Sequence, residues 1–380
     1  MKKICAIIIL LTLILFGRAP AVSFASDETE ERLNEIAGKI DESIKSSTDS
    51  DISDKLEEFS ISVRNSEGFG NITLSGIITW LTETFLNSLK APVKMLGRIM
   101  AAALLCTIFQ NISEQGSSVS EIYNTAGILT VILSVYGCID AAIAIINSAL
   151  ETLSVFMLSY IPIFASVTAS AGHFAAAGSY YGSDLFLCEC IAFASKTLLM
   201  PLVSVLTAMS VTGAINPDMR LGRVSFTVKK AVQWILGILT TLFTGLLTIQ
   251  STVGASADSL RSKAVRLTAS SFIPFVGRAV SESYSAIKGS IGVIKTGTGA
   301  VGVIIIAIIV IPPIIAVIAD RAAISLGKLF CEMLGLDRTA ALLDELGTVL
   351  AIAMSVLIYF SIMFVISTCM ILMTTLNIGG

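Results

Sequence analysis

The sequence predicts an all-α, polytopic helical membrane protein of about seven spans, with an internal duplication of about 110 residues and a short exported helical segment at its N-terminus. Three observations predict it. Of the 380 residues, 54% are apolar and 14% charged, more apolar content than one water-soluble core requires. Charge is concentrated before residue 70, and apolar runs long enough for a hydrocarbon core of roughly 30 Å recur from there to the C-terminus. Landmark tetrapeptides return at a nearly constant offset. The net charge of −3 provides no basic field for nucleic acid, so nucleic-acid binding is not expected.

The first 25 residues read as a secretory signal. Lys2 and Lys3 precede an apolar run from Ile4 to Phe16, and the small residues Ser23 and Ala25 mark a cleavage site. The alternative is an uncleaved first span. Residues 26–70 hold thirteen Asp or Glu against five Lys or Arg, a net of −8. Leu33, Ile36, Ile40 and Ile44 share one helical stripe, as do Ile52, Leu56, Phe59 and Val63, so two short amphipathic helices fit, with a disordered acidic spacer as the alternative. Residues 71–122 hold an interfacial helix, marked by Glu83 and the following Lys90, Lys94 and Arg98, and then the first span. Spans are predicted near 95–112, 124–149, 153–175, 186–212, 231–253, 299–319 and 347–373.

The repeat is carried by several matches. "SYIPIF" at 159–164 answers to "SFIPFV" at 271–276, and "GILT" at 127–130 returns at 237–240. Gly178-Ser179 answers to Gly289-Ser290, and Pro201 to Pro312. The units are 123–215 and 233–328, joined by a basic connector at 216–232, with 329–380 forming a further connector and the final span. In the second copy the Ile-Pro segment has acquired Arg278 and Glu282, four apart and able to pair on one helical face. Pro274 and Gly277 make it either a broken helix buried among other helices or an amphipathic helix lying on the bilayer.

Asp140, Glu189 and Lys196 fall inside or beside predicted spans, where charge is costly. They are either pathway residues or a paired and snorkelling set. The single histidine, His173, has no nucleophile or carboxylate in a catalytic pattern around it. The seven cysteines are dispersed among apolar runs, and "CEC" at 188–190 has no second pair to complete a metal site. "GTGAVG" at 297–302 matches a dinucleotide fingerprint by letter but precedes a span rather than following a strand, so close helix packing is the better reading. No enzyme, cofactor or metal is expected.

Residues 249–308, with Ser271, Phe272, Ile273, Pro274, Val276 and Gly277 followed by Lys295 and Gly299, resemble the most recognisable part of the stage III sporulation protein AE family of endospore-forming bacteria. The earlier Pro162 segment, "LSYIPIFASVTASAG", agrees in order. Arg278 departs from the small residue expected there. The resemblance implies a subunit of the channel complex between mother cell and forespore, in the mother-cell membrane around the engulfed forespore. It also implies as partners the other stage III A-operon membrane proteins and, across the intermembrane space, stage II sporulation protein Q. The competing expectation from the residues alone is a secondary transporter or permease with duplicated membrane repeats, resting on the repeat and on Lys196.

Overall fold

A computed structural model describes residues 74–112, 118–215, 226–248 and 277–376, together with Gly38 and Glu42. The described residues from 74 onward are helices and the turns between them. In chain order the helices are α1 (Leu74–Ser88), α2 (Lys90–Ile112), α3 (Ser118–Ser170), α4 (Phe174–Phe193), α5 (Met200–Ile215), α6 (Phe226–Thr248), α7 (Gly277–Met333) and α8 (Asp337–Leu376), with a π-helical turn at Ala194–Leu199 joining α4 to α5. Among the described residues six helical stretches are long and apolar enough to cross a membrane: Ile78–Ile108, which runs through the turn between α1 and α2, Thr125–Ser170, Thr197–Ile215, Phe226–Thr248, Ile294–Met333 and Asp337–Leu372.

The helices run longer than the apolar stretches that announce them. The spans expected at 124–149 and 153–175 are one continuous helix, α3, of 53 residues. Glu151, between the two expected spans, lies on its exposed side and does not interrupt the helix. Pro162 lacks the donor for the carbonyl of Leu158 yet leaves α3 unbroken. At 57 residues, α7 is about 85 Å long, nearly three times a hydrocarbon core. Where a break does occur, a cause is visible. Pro92 has no N–H for the carbonyl of Ser88, and the turn at Leu89 separates α1 from α2 there.

Two tight turns reverse the chain in the same way. Gly172 has φ +89° and Gly335 has φ +72°, a region that costs a side chain strain. Behind each glycine a six-residue ring closes, His173 N donating to Thr168 O at 3.2 Å and Leu336 N to Cys331 O at 2.9 Å. The second turn folds α8 back along α7. From the Lys328–Asp344 ion pair (2.8 Å), through Arg321 Nε on the Gly347 carbonyl (3.0 Å), to Lys295 Nζ on the Ile371 carbonyl (2.7 Å), the two helices run antiparallel. This hairpin is the centre of the bundle, with α3 antiparallel to α7 on its flank and α2, α4 and α5 outside.

Small residues set the closest approaches. A side chain at Gly302 would overlap the ring of Tyr160, and one at Gly299 would sit 2.7 Å from the Leu372 side chain. The glycines of "GTGAVG" are thus points of backbone contact with α3 and α8, as helix packing within a membrane requires. Serine and threonine hydroxyls, which would be costly in hydrocarbon, bond back to carbonyls one turn earlier, as Thr168 does to Phe164, Ser361 to Leu357 and Thr368 to Phe364.

Candidate functional site

Charged side chains are buried at one level of the central hairpin. The run from Thr296 to Ala319 of α7 has no charged residue and is about 36 Å long, bounded by Lys295 at one end and Asp320–Arg321 at the other. Lys295 is fully buried, and its ammonium donates to the Ile371 carbonyl on α8 at 2.7 Å. Asp184 of α4 is also fully buried and accepts a hydrogen bond from the Ser367 hydroxyl of α8. Ser367 and Ile371 are four residues apart on α8, about 6 Å along its axis, so cation and carboxylate are anchored to one turn of the same helix.

Aromatic side chains close this level. Phe156, Tyr160 and Phe164 stack along α3 with ring centroids 5.3 and 5.5 Å apart, and Tyr180 of α4 meets Phe164 edge-on at 5.5 Å. Tyr160 donates to the Thr298 carbonyl at 3.1 Å, one turn along α7 from Lys295. Tyr180, one turn before Asp184, is fully buried with its hydroxyl facing Thr368. Burying a charge inside a membrane protein is costly, and two opposite charges anchored to one turn of α8 reduce a cost that either would carry alone.

The other end of the uncharged run is held differently. Asp320 is buried, whereas Arg321 is partly exposed and reaches the Gly347 carbonyl across the hairpin. Beyond it Lys328 pairs with Asp344 at 2.8 Å and Glu332 at 3.8 Å on the exposed edge. Ser367 faces a carboxylate, while His173 lies in the Ala171–His173 turn, its backbone bonded to Thr168. The six described cysteines are free thiols.

The residues expected from sequence fall elsewhere. Asp140, Pro162 and Glu189 are exposed on α3 and α4. Lys196 lies on the π-helical turn, a feature frequent at functional sites, and its side chain lies outside the described residues. Gly277, Arg278 and Glu282 begin α7, with the side chains of Arg278 and Glu282 likewise outside them, as are Phe272, Ile273 and Pro274 altogether. Asp184 lies just before the span predicted at 186–212 and Lys295 just before the one predicted at 299–319, so neither reads as a membrane charge from the apolar runs alone. Extending each helix past the edge of its apolar run would have brought both inside.

The six apolar helices and the charges buried among them define a multi-pass α-helical membrane protein. A sequence profile of the stage III sporulation protein AE family matches residues 58–375, and the chain belongs to that family. It is similar to stage III sporulation protein AE of Bacillus subtilis (strain 168), 22% identical over 393 aligned residues that cover 98% of each chain. No solved structure matches it.

Proposed function

We propose that this protein is a membrane subunit of the channel complex between mother cell and forespore, needed for forespore development during endospore formation. The observation that carries the proposal is the family match across nearly the whole apolar part of the chain. The six membrane-length helices and the acidic segment at 26–70, read as exported, support it. In this reading the protein sits in the mother-cell membrane around the forespore. Its partners are the other stage III A-operon membrane proteins and, across the intermembrane space, stage II sporulation protein Q. It needs no cofactor and performs no catalysis.

An in-frame deletion in the native host tests the reading. Normal vegetative growth with collapse of engulfed forespores and loss of heat-resistant spores is the expected result. Unchanged sporulation overturns it.

A second reading, a stand-alone transporter of duplicated design, is favoured by the buried Asp184–Lys295 level and by the π-helical turn that carries Lys196. Solute uptake by the purified protein in vesicles, lost with Lys196→Ala, separates it from the subunit reading.

A further inference from the structure

The outward face of α3 is unusual for a helix beside lipid. Gly137, Ala141, Ala144 and Ser148 recur on its exposed side at helical spacing, with Asn147 and Glu151 alongside. Their depth follows from the register. Tyr160 meets Thr298 and Gly302 across antiparallel helices, so Glu151, nine residues earlier, lies opposite the middle of the uncharged run of α7. An exposed amide and carboxylate there would face hydrocarbon, where polar groups are costly.

A second such face lies on α6. A groove runs along it, lined by Lys230, Gln233, Trp234, Gly237, Ile238 and Thr241. Nothing lies within 4 Å of where a side chain would begin at Gly237 or Gly245, so small residues at 237, 241 and 245 stay open over successive turns. Small residues at every fourth position let two membrane helices approach closely, and Asn or Gln side chains then bond between them.

The two faces differ in charge. Between Gly137 and Glu151, α3 carries Asp140 and Glu151 and no basic residue, while α6 carries Lys229 and Lys230 and no acidic one. Packing α3 against a second α3 would bring like charges together, whereas packing α3 against α6 pairs opposite ones. We infer that the chain self-associates within the membrane, with the α3 ridge of one copy seated in the α6 groove of the next, Asn147 against Gln233 and Asp140 toward Lys230. Such a head-to-tail contact repeats from copy to copy and closes a ring if the rotation permits. The inference does not depend on the channel role.

Two differently tagged copies, one carrying Ser148→Cys and the other Ile238→Cys, are co-expressed and treated in membranes with a bifunctional maleimide. Both copies carry Cys138→Ala and Cys190→Ala, because those two thiols are only partly buried. The expected result is a two-chain product bearing both tags, at least about tenfold above a control with Leu133→Cys, an exposed apolar position on α3, in place of Ser148→Cys. Adding Asn147→Leu to the Ser148→Cys copy should lower that product about fivefold without changing the melting midpoint. Three results overturn the contact: no product above the control, capture of a different membrane protein by the Ser148→Cys copy in place of the Ile238→Cys copy, or a dominant product between two Ser148→Cys copies. A sporulation defect in the deletion strain would persist in all three, so loss of this contact and loss of the channel reading remain distinguishable.

Discussion

The central hairpin and the outer helices solve the same problem in opposite ways. In α7 and α8, 56% of the most apolar window is buried within the protein, whereas the corresponding share is 28% for α3 and 22% for α6. The more apolar pair is the more enclosed, and it also holds buried Lys295, Asp320, Thr298, Ser367 and Thr368. In α3 the polar residues Asp140, Asn147 and Glu151 instead point outward. Apolarity alone therefore does not locate the core of a membrane bundle. What distinguishes the two regions is where each helix directs its few polar groups and what satisfies them.

The sharpest test of this contrast is at Lys295. Lys295→Met removes one of the two buried charges anchored to this turn of α8 and should destabilise the protein by about 3–5 kcal/mol in detergent unfolding, with Asp184→Asn in the same background recovering part of the loss. Next comes Gly302→Ala, which drives a methyl into the Tyr160 ring and should cost about 1–3 kcal/mol by the same measurement. Gly335→Ala follows at about 1–2 kcal/mol, because its φ of +72° strains any side chain. Leu133→Ala, on the outer face of α3, should change stability by less than about 0.5 kcal/mol. Asp344→Ala, removing a solvent-exposed partner of Lys328, should leave the melting midpoint near wild type. Equal losses at Gly302 and Leu133 would erase the distinction between inner and outer helices.

Much of this organisation was legible in the sequence, though not its boundaries. The all-helical, multi-pass character followed from apolar runs, and "GTGAVG" was recognisable as a packing seam because no strand preceded it. The family was legible from the Ile-Pro segment and the residues after it. The number of crossings was harder to read, since Glu151 resembles a loop when only the chain is seen but lies on the outer side of a continuous helix. Asp184 and Lys295 could not be paired from sequence. They are separated by 111 positions, and the turn of α8 that joins them contributes a hydroxyl and a main-chain carbonyl, which leave no charge pattern. Asp140 and Glu189 were visible as membrane charges, but which way each faced depended on the packing of α3 and α4.

The decisive question is whether Lys295 of the hairpin and Asp184 of α4, both anchored to one turn of α8, are needed together for the protein's role. The direct measurement is complementation of the deletion strain with Asp184→Asn, Lys295→Met and the double variant, counting heat-resistant spores at matched protein levels. Each single change is predicted to lower the count at least about a hundredfold and the double change to recover at least about tenfold of that, as expected when removal of one charge strands the other. Wild-type spore counts from both single variants would contradict the account.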